Sequence, residues 1–168
     1  MDPQGEFPLG PAEYFFYLLF QTVRQRDIFF DQALSDTGLN LHRWRTLAVI
    51  RRIENCSMKD LALYSAIDRT TLTRAVDQLV RLGLVERWSP TGDRRRVNVA
   101  LTAQGEAVYE QAVDMLRREN AAMLSGNDEP TVREAIRVLQ RAILNLMPDR
   151  LQAERLLAYG RPMRRVSK

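Results

Sequence analysis

The sequence predicts a mainly α protein with a small β-hairpin wing: a winged helix-turn-helix with flanking dimerisation helices. Three observations lead there. First, the prolines stand at 3, 8, 11, 90, 130, 148 and 162 and leave long stretches free to be helical. Second, a short helix, a tight turn and an amphipathic helix follow one another over residues 57–82, and then two short alternating runs bracket the turn "SPTGDRRR". Third, residues 69–96 hold seven arginines against three acids. That segment nets +4, which is the charge of the whole chain, so the rest nets zero. A local basic patch of this kind suits a polyanion.

In chain order, residues 1–11 read as an extended arm. An apolar helix runs from Ala12 to about Leu34 and is closed by "DTG", with Gly38 as its stop. "LHRWRTLAVIRRIE" (41–54) is a second helix with Leu41, Trp44, Leu47, Ala48 and Ile50 on its apolar side. Ser57 with Asp60 three residues later is a capping-box-like start for "MKDLALYS". After a brief turn, Asp68 is the expected N-cap of a helix over Arg69–Leu82 that Gly83 ends. Its apolar set is Leu72, Ala75, Val76, Leu79 and Val80. At 100° per residue, Thr70, Arg74, Asp77, Gln78 and Arg81 face the other way, with Arg69 and Thr73 at the edges.

"LVERW" (84–88) and "VNVAL" (97–101) read as two antiparallel strands, with Arg94, Arg95 and Arg96 in the loop between them. Thr102 caps a long helix to about Leu124 despite Gly105 in its first turns. "SGND" breaks it, and Pro130 stands near the start of another helix. That helix has Val132, Ile136, Leu139, Ile143 and Leu146 at heptad-like spacing, which lasts only about two heptads. A basic tail follows.

The bulk properties narrow the function classes. Of the 168 residues, 45% are hydrophobic, enough for a core. The longest apolar run, "YFFYLLF" (14–20), is too short to span a membrane. No basic n-region or cleavage site suggests a signal peptide. The single cysteine, Cys56, allows no internal disulfide and suits a cytoplasmic location. No cofactor is implied. His42 is the only histidine, and no cluster has metal-ligand spacing. No phosphate-binding glycine loop or nucleophile elbow is present, so the sequence reads as a non-enzyme.

The basic helix and wing instead fit double-stranded DNA. An α-helix fits the major groove, and arginines on a hairpin tip can reach the flanking backbone or minor groove. Arg69, Thr70, Thr71, Thr73, Arg74 and Gln78 are the candidates on the helix, and Arg94, Arg95 and Arg96 those on the wing. Thr70, Thr71 and Thr73 suit phosphates near a helix N-terminus. Arg74 suits a base edge, because arginine can bond guanine bidentately. The alternative from another class is a winged helix used for protein contacts without specific DNA binding. Such a module would expose apolar residues on the outer face of helix 69–82, where this sequence has threonine and arginine.

"DRTTLTRAVDQLVRLGLVER" followed by "DRRRVNVALTAQG" resembles the MarR family of winged helix-turn-helix transcriptional regulators. The likeness in motif covers Asp68–Gly105, and the helix placement agrees over roughly 12–147. The resemblance implies a homodimer that binds a palindromic operator, usually as a repressor released by a small ligand. Between the arm at 1–11 and the basic C-terminal tail at 148–168, both read from the residues themselves, it implies a MarR-like domain at 12–147. Within the domain, the DNA-binding lobe is expected at about 42–101 and the dimerisation helices at about 12–37 and 102–147. It also implies that Arg94 and Arg95 lie near the minor groove, with Asp93 orienting the arginines.

Ligand pockets in similar proteins lie between the first two helices and the DNA-binding lobe. Tyr17, His42, Trp44 and Arg45 are therefore the candidate ligand residues. Trp44 with Arg45 or Arg43 suits a small aromatic acid or its thioester, although Trp44 could equally be core. Oxidant-sensing relatives place their cysteine in the first helix, so Cys56 reads as a small, semi-buried structural residue. The tail beyond Pro148 departs from the family pattern.

Overall fold

The computed structural model describes residues 9–53, 55–89 and 97–160, within two compact units, Met1–Leu41 and His42–Lys168. The first unit is built on α1 (Pro11–Leu34). Pro11 stands in its first turn, where a missing N–H costs nothing. A 3-10 turn (Ser35–Thr37) follows, and Gly38 ends it at φ 71°, in the left-handed region where a side chain is strained. Arg26 lies over the Phe30 ring, 4.2 Å from its centroid. Asp31 Oδ1 accepts the Leu41 N–H at 2.9 Å. Phe16, Leu18 and Phe20 are exposed, Phe20 to 63%.

The second unit takes up the remaining elements: α2 (Leu41–Arg52), β1 (Cys56–Ser57), α3 (Met58–Tyr64), α4 (Arg69–Arg81), β2 (Val85–Trp88), β3 (Asn98–Leu101), α5 (Ala103–Met123), α6 (Glu129–Leu146) and α7 (Arg150–Tyr159). The strands form one antiparallel sheet in the order β1-β3-β2. Val85 pairs with Leu101 and Trp88 with Asn98, while Cys56 pairs with Val99. The buried side chains of this unit include Leu47, Leu61, Leu72, Val76, Leu79 and Leu116. They come from α2, α3, α4 and α5, so the helix-turn-helix closes over a shared core.

The caps expected from sequence form. Ser57 and Asp60 make both hydrogen bonds of a capping box. Asp68 accepts the N–H groups of Thr70 and Thr71, and Thr102 Oγ1 accepts that of Gly105.

Two features differ from the sequence expectations. β1 is an added strand, two residues long, and it makes Cys56 wholly buried rather than semi-buried. Part of the expected tail is the helix α7. Pro148 holds Met147 in extended backbone, which ends α6, and Asp149 then caps α7 by accepting the Gln152 N–H. The seam on α6 is not buried within the chain: Ile136 is 47% and Leu146 70% exposed.

Candidate nucleic-acid interface

α4 gets its two faces from its spacing. Leu72, Ala75, Val76 and Leu79 point into the core, and each fully buried leucine is worth about 1.5–3 kcal/mol. The opposite face follows from that, and Arg69, Thr70, Thr73 and Arg74 are exposed on it. Arg69 and Arg74 make no ion pair or hydrogen bond through their side chains among the described residues. Thr73 Oγ1 donates to the Arg69 carbonyl at 2.9 Å.

Two of the expected candidates are less free. Thr71 is half-buried, its N–H donates to the capping carboxylate of Asp68 at 3.0 Å, and its hydroxyl lies close by. That hydroxyl, first, and the Thr71 and Thr70 N–H groups hold Asp68 below the usual carboxylate range. Gln78 is half-buried, and its Oε1 accepts from Arg43 Nε at 2.9 Å. Gln78 therefore ties α4 to α2. Asp77 pairs with Arg87 of β2 at 2.6 Å and ties α4 to the base of the wing. Sequence spacing could not reveal the Arg43–Gln78 bond, because its partners lie 35 residues apart. Arg94, Arg95 and Arg96, with Asp93, lie outside the described residues.

The candidate ligand residues belong to both units. Tyr17, in the first unit, is exposed and stacks on Tyr14 with centroids 6.3 Å apart. In the second unit His42 is exposed, and Trp44 stacks on Tyr109 of α5 at 5.3 Å and 14°. One indole face is thus already occupied. Arg45 is half-buried and has an interaction of its own. Two cavities of the second unit lie elsewhere. One of about 520 Å³ is lined by Met58, Lys59, Arg69, Thr73, Arg87 and Val97. The other, of about 700 Å³, lies between α3 and α7 and is lined in part by Lys59, Tyr64, Gln152 and Arg155.

Burial, helped by Asp60, pushes the Cys56 thiol up to about 12. The reactive thiolate is therefore scarce at neutral pH. The native protein should resist iodoacetamide at pH 7.5 over a time in which the denatured protein is fully alkylated, as mass spectrometry can show. Equal native and denatured rates would contradict a buried, inert Cys56.

Among the described residues no group of His, Cys, Asp or Glu side chains is placed to hold a metal. No described helix is long and apolar enough to cross a membrane.

A basic, polar outer helix, a buried inner face and a hairpin directly after it define a winged helix-turn-helix. Comparison with known proteins agrees. The MarR family model matches residues 37–96. The transcriptional regulator FarR of Neisseria gonorrhoeae is 33% identical over 82 residues, covering 49% of this chain and 56% of that protein. The homoprotocatechuate degradative operon repressor of Escherichia coli is 30% identical over 84 residues, covering 50% and 57%. The crystal structure of the M. tuberculosis transcriptional regulator MosR superposes with a TM-score of 0.62 at 34% identity, over 75% of this chain and 92% of that one. The chain belongs to the MarR family. Its matched segment spans just over half the length of the two curated relatives.

Proposed function

We propose that this chain is a cytoplasmic, sequence-specific DNA-binding transcriptional regulator that represses by occupying a palindromic operator as a homodimer. The observation that most supports this is the outer face of α4, where Arg69, Thr70, Thr73 and Arg74 stand exposed on a helix whose other face is core. A surface meant for an apolar protein partner would not place threonines and arginines there. Arg94, Arg95 and Arg96 would extend the contact to the flanking backbone. Exposed apolar side chains on α1, and separately on α6, support the dimer. A two-fold dimer sets two recognition helices about one DNA turn apart, ~34 Å.

Light scattering at micromolar concentration should give twice the 19.4 kDa chain mass. Selection from a random DNA pool should then return an inverted repeat. A monomer that still binds that repeat tightly would refute the dimer. A pool that shows no enrichment would favour the protein-contact alternative.

The effector class we propose is a small aromatic acid or its thioester, held by Arg45 and Trp44. The operon named for the Escherichia coli relative supports an acid of this kind. Binding must lower operator affinity by the ligand's preference for the non-binding state. Aromatic acids that raise the melting temperature yet leave operator affinity unchanged would rule out a regulatory role.

A further inference from the structure

α3 has only seven residues. A helix so short does not hold itself in place, so its orientation comes from its one fully buried side chain, Leu61, and from what ties its ends. At its N-terminal end stand the Ser57–Asp60 capping box and the pairing of β1 with β3. At its C-terminal end the Tyr64 ring stacks on Tyr159 of α7, with centroids 4.9 Å apart and planes 19° apart.

Tyr159 is itself anchored on α2. Its hydroxyl donates to the Ala48 carbonyl at 3.3 Å, and the Arg52 guanidinium lies 4.9 Å from its ring centroid. α7 is seated through Ala153, which is completely buried. One side chain thus joins the last helix to α2 and α3.

The residues directly after Tyr64 are the turn that aims α4. Ser65 is buried, and its hydroxyl has no hydrogen-bond partner among the described residues. Ala66 stands at φ 53°, in the left-handed region that disfavours a side chain. Asp68 then caps α4. A strained residue and an unpaired buried hydroxyl persist only where the surroundings fix the chain on both sides. Asp68 and the core face of α4 fix one side. The Tyr64–Tyr159 stack fixes the other.

We infer that Tyr159 is a positioning residue for the DNA-reading helix, and that α7 is therefore a working part of the DNA-binding lobe rather than a tail. The inference rests on the reading of α4 as the element that meets DNA. Loss of the ring frees the C-terminal end of α3, the turn relaxes, and α4 no longer presents its outer face at the angle the groove requires.

The test uses Tyr159→Ala and Tyr159→Phe in the full-length chain, with hydrogen exchange as one readout and operator against random DNA as the other. In Tyr159→Ala, amides over 58–68 should exchange about tenfold faster while those in the middle of α5 keep their parental rates. Operator affinity should fall about tenfold and random-DNA affinity by less than about twofold. Tyr159→Phe keeps the stack and the cation–π contact and should stay within about twofold of the parent on both readouts.

The inference is overturned if Tyr159→Ala lowers the melting temperature while exchange over 58–68 and DNA discrimination stay parental. It is also overturned if Tyr159→Phe is as damaging as Tyr159→Ala. Should Tyr159→Ala not fold, Tyr64→Leu removes the same stack and leaves the bonds of Tyr159 to α2, with the same outcomes expected. A parent protein with no preferred DNA sequence would refute the DNA reading alone, and the exchange data would still decide whether α7 holds α3.

Discussion

Gly105→Ala should lower stability by about 2 kcal/mol or more, within the usual range for overpacking a core. A helix interior ordinarily gains about 1 kcal/mol from this exchange, so the sign itself is informative. Gly105 lies in the first turn of α5 and is buried. A Cβ on it would stand 2.0 Å from the Leu84 carbonyl oxygen and 2.9 Å from its carbon. Both are backbone atoms, so no side chain can swing aside. The same carbonyl accepts the Thr102 N–H at 3.1 Å, and Thr102 Oγ1 both accepts from Gly105 and donates to the Gly83 carbonyl. Moving Leu84 therefore disturbs the cap of α5 and the entry to β2 together. For a chain of this size, ~2–3 kcal/mol corresponds to a fall in melting temperature of roughly 5–10 °C. Gly160→Ala is the control: it has αR backbone and only a distant Leu157 carbonyl nearby, and calorimetry should find it close to neutral. A Gly105→Ala protein as stable as the parent would mean that α5 and β2 are not in such close contact.

The periodicity of α4 was legible because one face is buried and the other is wet, and that is the condition under which sequence spacing reports structure. The caps at Ser57, Asp68 and Thr102 were legible because each acts within three residues. Gly105 stood out only as an oddity in a helix, since the backbone it touches is 21 residues earlier in the chain. β1 has no sequence signature, because two residues cannot show an alternation. Nothing local marks α7 as more than tail, because its register on the lobe is set by Tyr64 and Ala48, which are distant in sequence. Within the candidate site, the exposed arginines and threonines of α4 followed from the helix wheel. The commitment of Gln78 to Arg43 and of Asp77 to Arg87 did not, because both bonds cross between elements.

Those two commitments sharpen what each arginine should do on DNA. Arg87 is already paired with Asp77, so its charge toward DNA is partly neutralised. Arg74 is exposed and has no such partner among the described residues. It can offer its whole guanidinium edge to a base. Arg74→Ala should cost ~1–3 kcal/mol on the operator and much less on random DNA, with relaxed preference at one base position per half-site. Arg94→Ala and Arg95→Ala should act differently if the wing meets backbone. They should weaken specific and random DNA by similar factors, and each lost phosphate contact should flatten the plot of log K against log salt by ~0.9. Arg87→Ala should lie between the parent and these wing variants, because Asp77 already neutralises part of the charge that is removed. A narrow A·T-rich minor groove under the wing would add some sequence dependence to the Arg94 and Arg95 effects. Fluorescence anisotropy across a salt series, together with a single-base scan of the operator, separates the cases. If Arg74→Ala keeps full discrimination while Arg94→Ala and Arg95→Ala abolish it, the wing reads sequence and α4 supplies the docking. If none of these variants changes binding to any DNA, the outer face of α4 serves a protein partner instead.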